Sequence, residues 1–462
     1  MPPPTLDEHV FAEILLHCDI YDVLKFTQVN KWCRSAALSK QLWISLIRDL
    51  EFRGMRDVDP SERLEDCTTD DLIAKVKRVA SGPRTWLPSS PTPPTLEREV
   101  LVQLGPPHYE PGTFVQLLPG GKHFVLRRLT HGSVYEIWAI STQQCIWSRP
   151  PRPMELSAID IVDGGEKAVV AFGSPTQPPF VELIEVDLHT GESSLLFRKA
   201  ITREIEITTT TRLQLSGEHL AFPVRTKSGS EVHVVNWARA TYVCLRFPMT
   251  DNIAYSLVRG HIFVVHLNGH PDRRLCASLY SLHSLDWHSI RSWHLLLSET
   301  SSPVSSLMLP FAEGHLIQTL ELVAVRSPVR RDAYKFTLHL PLIPKPPSAG
   351  GLMSRLWVRL RPGNQSQPEH IHYSFVFVPP MELEMVVSTE CLSLMHRPMY
   401  VVGVLRLGGR VIIYDGANEC REVKFPINHL LFDGHGPLPK LGTYSAALPL
   451  VKDNVLRIMY FQ

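Results

Sequence analysis

Five stretches, "LPGGKHFVL", "VDGGEKAVV", "LSGEHLAF", "VRGHIFVV" and "AEGHLIQTL", each place a glycine just ahead of a short apolar run. Gly120, Gly165, Gly217, Gly260 and Gly314 follow one another at steps of 45, 52, 43 and 54 residues. A tight hairpin needs positive φ, which glycine adopts without steric cost, so each of these glycines marks a turn between paired strands. The flanking runs alternate Val, Ile, Leu, Phe, Tyr and Thr with polar residues, the period of half-buried strands. One four-stranded blade of a β-propeller has this length. Residues 98–462 number 365 and make seven or eight such blades.

A second mark rides on the same repeat. "YEIWAISTQQCIW" and "VVNWARATYVCLR" superimpose, with Trp138 and Trp237 each followed by Ala, by Thr four residues on and by Cys seven on. "IEVDLHTGES" puts Val186-Asp187 and Thr190 in the same frame, and "VIIYDGANEC" adds Tyr414-Asp415. These pairs resemble the strand-ending Trp-Asp of WD repeats in degenerate form. The frame expects Trp138 and Trp237 at equivalent, buried places near the end of a strand.

The first 80 residues follow a different, helical period. "TLDE" forms a capping box from Thr5 and Glu8, and further helices run from Asp22, through Trp32 towards Leu38, and over "KQLWISLIRDLEF". Gly54 ends the fourth helix, and Thr69 caps "DDLIAKVKRVAS", whose stripe is Leu72, Val76 and Val79. A Pro/Ser-rich connector at 83–97 then separates the helical part from the β part, while "PLIPKPPSAGG" at 341–351 reads as an excursion between strands. The fold class is therefore α + β and multidomain: helices over 1–60, an extra helix region over 61–82, the linker, and the propeller.

The opening fifty residues resemble an F-box. The matching positions are Leu6, Val10, Ile14, Asp19, Val23, Leu24, Val29 and the pair Leu42-Trp43. Asp7 stands where the family usually has proline, and Cys33 stands where it has an aromatic, with Trp32 displaced by one. The wider run to Trp86, with "HCDIYDVL", "VNKWCR", "LWISLIRDL", "LIAKVKRV" and "GPRTW", looks like the long F-box proteins of mushroom-forming fungi. The resemblance implies docking on a Skp-type adaptor and a cullin ligase core through Leu6, Val10, Ile14, Val23, Leu24, Val29, Leu42 and Trp43. A module of this size does not enclose all of its large side chains, so a leftover apolar face serves as an interface.

Composition narrows the remaining classes. The 47 basic and 46 acidic side chains leave a net charge of +1, so no broad field favours nucleic acid or an anionic membrane. No leader pattern opens the chain and no apolar run approaches membrane-spanning length, which sets the expectation of a cytoplasmic or nuclear protein. Eight cysteines are scattered without a C-x-x-C pair, the pattern of reduced, mostly buried thiols. The chain lacks a P-loop, a dinucleotide glycine fingerprint, H-E-x-x-H and G-x-S-x-G, so no catalytic residue, cofactor or metal is expected. His370 and His372 share a strand face without a third ligand. Arg273, Arg274, Arg330 and Arg331 are the candidates for holding a phosphorylated or acidic target motif, against solvated charge as the alternative. The expected function is a substrate receptor, non-catalytic itself, that brings an unknown protein target to a ubiquitin ligase. The alternative is a scaffold whose helices pack on its own propeller or serve another partner.

Overall fold

The computed structural model describes residues 8–57, 62–81, 95–104, 114–129, 133–152, 156–174, 180–200, 213–226, 229–248, 253–267, 274–290, 302–309, 315–317, 320–344, 369–377, 405–407, 410–414, 420–423, 447–452 and 454–461. Two compact units divide the chain. One comprises 1–201, 325–333 and 390–462, and the other comprises 202–324 and 334–389.

The first unit opens with five helices: α1 Glu8–His17, α2 Ile20–Phe26, α3 Lys31–Ala37, α4 Lys40–Phe52 and α5 Thr69–Ser81. Three of the boundaries have a clear local cause. The Asn30 side chain accepts from the Cys33 backbone N–H at 2.8 Å and starts α3. At α5 the cap is Thr68, one residue before the expected Thr69. Asp71 accepts from the Thr68 N–H at 3.0 Å and donates its own N–H to the Thr68 hydroxyl at 3.2 Å, a reciprocal capping box. Gly54, at φ +67°, turns the chain out of α4 while the Met55 N–H reaches back to the Leu50 carbonyl at 2.8 Å.

The strands follow in antiparallel sheets. After β1 (Leu96–Gln103) come β2 (Phe114–Leu117), β3 (His123–Leu129), β4 (Ser133–Ala139) and β5 (Gln144–Arg152), which form one sheet in chain order. β6 (Leu156–Val162), β7 (Lys167–Ser174), β8 (Phe180–Asp187) and β9 (Ser193–Ala200) form the next. In the second unit, β10 (Gln214–Ser216), β11 (His219–Thr226), β12 (Gly229–Asn236) and β13 (Thr241–Pro248) pair in order. So do β14 (Ile253–Val258), β15 (His261–Leu267) and β16 (Leu275–Ser281); β17 (His288–Ser289) then returns to β13, and β18 (Ser305–Leu309) to β16. β19 (His315–Ile317), β20 (Glu321–Arg326), β21 (Tyr334–Pro344) and β22 (Glu369–Phe377) make a further sheet around the long β21. Back in the first unit, β23 (Leu405–Leu407), β24 (Arg410–Tyr414) and β25 (Cys420–Val423) form a three-stranded sheet. The last two strands, β26 (Ala447–Lys452) and β27 (Val455–Phe461), are completed by β1, which pairs with β27 from Leu96↔Phe461 to Gln103↔Val455.

Within each unit, successive sheets pack face to face. Val102, Phe124, Trp138, Leu456 and Ile458 share one core of the first unit, and Tyr135, Ile137, Trp147, Val170 and Phe172 share the next. In the second unit Val232, Val234, Val243 and Leu245 pack with Tyr255, Ile262 and Val264, and Phe263 stacks on Phe336 of the following sheet at 4.5 Å between centroids.

The glycine period is structural. Gly120, Gly165, Gly217 and Gly260 all have positive φ and each lies in the turn joining the first and second strands of a sheet; Gly314 lies outside the described residues. One hydrogen bond repeats with them: the residue just beyond the third strand donates its N–H to a carbonyl in or beside that first turn. The pairs are Ile140 to Lys122, Leu188 to Glu166, Trp237 to Glu218 and Leu282 to Gly260, at 2.8 to 3.1 Å. This bond corrects the tryptophan frame. Trp237 corresponds to Ile140, not Trp138, and it sits half-buried just past β12 while Trp138 is buried inside β4. The slip is two residues, which keeps every side chain on its face and so leaves the alternating pattern unchanged.

Candidate functional site

The five helices close around Leu15, Val23, Ala37, Leu42, Trp43, Leu46, Ile47, Leu50, Leu72 and Val76. Trp43 is fully buried, and its indole N–H donates to the Ala37 carbonyl at 2.9 Å. Val23, Leu42 and Trp43, expected on the adaptor-binding face, are therefore core residues: the apolar stripe of a short helix turns inward wherever neighbours can cover it. Leu24 is half-buried against the same core. Leu6 lies outside the described residues.

Val10 and Ile14 are different. They stand one turn apart on α1 and remain 50% and 46% exposed. Val29 and Trp32 are exposed as well, and the Trp32 ring lies 4.7 Å from Phe11, the neighbour of Val10 in the chain. The one-residue displacement of the aromatic has a consequence here: Cys33 turns into the core and Trp32 stays at the surface. Trp32 was not among the expected contact residues, although that displacement was visible in the sequence.

Other parts of the module are tied down within the same unit. The Gly120 N–H donates to the Gly54 carbonyl at 3.2 Å, the Phe52 ring lies over Gly164, and Arg78 makes a forked pair with Glu97 at the start of β1. Segment 325–333, which runs from the end of β20 to the start of β21, also docks on the helices. The Tyr21 N–H donates to the Val329 carbonyl at 3.1 Å, the Arg331 N–H to Asp19 at 3.0 Å, and Arg53 to the Pro328 carbonyl at 3.1 Å. Arg330 lies over the Tyr21 ring at 4.0 Å, and Arg331 reaches Asp49 at 3.4 Å. Burial pulls the Arg53 guanidinium below its ordinary pKa, against the Asp49 carboxylate that holds it at 2.8 Å.

These contacts correct the reading of Arg330 and Arg331 as target-binding candidates. Both are engaged with the helical module 300 or so residues upstream in the chain. Arg274 is exposed ahead of β16, and Arg273 lies outside the described residues. His370 and His372 do lie on one strand, β22, where they face Pro341 and His339 of β21 in register.

No family model and no curated protein matches the chain. Solved structures similar to it include oligogalacturonate lyase from Vibrio parahaemolyticus, 11% identical, with 80% of this chain and 97% of that one covered at a TM-score of 0.41. The β-propeller domain of Cps50 (Swd1) from Myceliophthora thermophila is 11% identical, with 78% and 100% covered and a TM-score of 0.35. Prolyl endopeptidases are 12% identical over 58% of this chain and 36% of theirs, with a TM-score of 0.31. The expectation of a chain without catalysis is corrected at this point. The lyase and the endopeptidases are enzymes, and a fold by itself does not decide whether a chain has an activity. Among the described residues no helix is long and apolar enough to cross a membrane.

Proposed function

We propose that the chain is a substrate receptor of a Skp/cullin/F-box ubiquitin ligase, with α1 as the docking element for a Skp-type adaptor. The observation that carries this reading is the half-exposed pair Val10 and Ile14, left uncovered on a module that is otherwise fixed to its own sheets and to segment 325–333. A large apolar side chain at the surface of a small helical module supports an interface more than a fold. The F-box spacing supplies the partner. The sheets in their turn are read as a propeller of seven or eight blades, one of them composed of β1, β26 and β27, which would present loops to a protein target. Tethering that target beside a ubiquitin-loaded enzyme raises the effective concentration of its lysines. A cytoplasmic or nuclear location accompanies this role.

A second reading keeps the helices as a structural cap of a scaffold protein, and the docking of 325–333 on α2 and α4 favours it. Co-purification separates the two. Full-length protein should retain a Skp-type adaptor, and Val10→Asp with Ile14→Asp should weaken that binding at least about thirtyfold, as expected for apolar anchors worth 2 kcal/mol or more. Failure of the intact chain to retain the adaptor, where a standard F-box protein does, would overturn the receptor reading.

A further inference from the structure

Sheet register in the second unit brings one side chain beside a pair that stands two apart on the neighbouring strand. On β12 and β13, His233 lies opposite Cys244 and Glu231 opposite Arg246. Residues two apart on a strand share a face, so all four side chains project from the same side of this hairpin. Glu231, His233 and Cys244 are all buried. The His233 Nε2 atom lies 3.0 Å from Glu231 Oε2 and 3.7 Å from Cys244 Sγ, and the three donor atoms fall within 4.8 Å of one another.

We infer that Glu231, His233 and Cys244 form a binding site for a first-row divalent metal ion of the zinc class. A tetrahedral ion with bonds of about 2.0 to 2.3 Å to O, N and S holds its donors roughly 3.3 to 3.7 Å apart, and small side-chain adjustments bring this trio to that spacing. The donor types suit the ion: one carboxylate, one imidazole and one thiolate, with water as the fourth ligand.

The surroundings orient two of the three ligands. The Arg246 guanidinium takes the other carboxylate oxygen, Oε1, at 2.8 Å, which leaves Oε2 aimed at the cluster. The Phe222 ring on β11 stacks on the His233 imidazole, 5.6 Å between centroids and 16° between planes, and sets the plane of the ring. Binding the ion at the cost of one proton changes the net charge of the cluster from zero to +1. Without metal, a carboxylate faces a guanidinium beside a neutral thiol. On binding, the ion takes the place of the thiol proton, which leaves to solvent, and a thiolate, a carboxylate and a guanidinium then surround a divalent ion.

Cobalt(II) is the probe. Titrated into the metal-free, full-length protein, it should bind with one-to-one stoichiometry and give a thiolate-to-cobalt charge-transfer absorption together with the visible bands of tetrahedral coordination. Zinc should displace it and raise the melting temperature. Cys244→Ser should abolish the charge-transfer band, and Glu231→Gln or His233→Gln should weaken binding at least tenfold. Absence of a saturable tetrahedral cobalt spectrum in the folded wild type, or its persistence in Cys244→Ser, would overturn the site and leave a hydrogen-bonded core cluster. X-ray absorption of the zinc-loaded wild type does not depend on any variant folding: one sulfur and three lighter scatterers support the assignment, and any other sulfur count refutes it.

Discussion

Two sets of substitutions in the helical module should behave in opposite ways. Trp43 has no surface in contact with solvent, and its indole N–H satisfies the Ala37 carbonyl at 2.9 Å. Trp43→Ala removes the largest fully buried side chain of the module and leaves both a cavity and an unpaired carbonyl, a cost of about 3 to 5 kcal/mol. Trp43→Phe keeps most of the apolar volume and loses the hydrogen bond, costing about 1 to 2 kcal/mol. Val10 and Ile14 are about half in water already, so Val10→Asp with Ile14→Asp should cost less than about 1 kcal/mol of stability while removing the adaptor contact. Urea unfolding of the full-length protein followed by far-ultraviolet circular dichroism, with hydrogen exchange read at the α4 amides, measures both. A loss under about 1 kcal/mol for Trp43→Ala, or an equal loss for the surface pair, would refute the division of this module into core and interface.

Three further outcomes follow from the sheets. Arg149 and Glu182 pair at 2.9 Å with side chains only 4% and 7% exposed, so Arg149→Ala should cost about 3 kcal/mol in chemical denaturation. That is the low end for a broken buried pair, because Arg198 and Arg152 stay 3.6 and 3.8 Å from the Glu182 carboxylate; no measurable cost would mean that these two suffice. Gly191 has φ +75° and a Cβ placed there would collide with the Ile146 carbonyl, so Gly191→Ala should lower stability by about 1 to 3 kcal/mol, and a neutral result would contradict the turn geometry. Burial holds His123 and His266 at about 4, below the ordinary 6.5. The unfolded chain therefore takes up protons that the folded chain refuses, and the contribution to stability is complete above pH 6.5 and falls as pH drops towards 4. His123→Gln with His266→Gln should flatten the urea midpoint over that window, and an unchanged slope would refute the burial argument.

How much of this was legible before the structure depends on the range of the interaction. The hairpin glycines and the Gly54 helix end are set by φ at single residues, so the residue type alone marked them. The cap at Thr68 was missed by one position because four threonine or aspartate residues, Thr68 to Asp71, follow one another there. The F-box resemblance put Leu42 and Trp43 on the docking face, and helical spacing carries no information on whether a stripe faces a neighbour or solvent, so nothing local corrected that placement. The tryptophan frame slipped by two because a strand repeats every two residues, and β4 carries a bulge against β5 at Ile137/Trp138 that the β12/β13 pairing lacks. Neither the Arg330 and Arg331 contacts nor the Glu231, His233 and Cys244 cluster has a sequence signature. The first joins segments some 300 residues apart, and the second exists only in the register of β12 against β13.

The pairing of β1 with β27 has a consequence in time. During synthesis at about 5 to 20 residues per second, β1 leaves the ribosome roughly 20 to 70 seconds before the strand that completes it, more than 350 residues later. For that interval β1 is an unpaired edge carrying "LEREVLVQ", and its three charged side chains, Glu97, Arg98 and Glu99, discourage another chain from adding to it. The closing sheet would thus be the slow, non-local step of folding, and a nascent chain halted before β27 would offer that edge to chaperones or to its own neighbours.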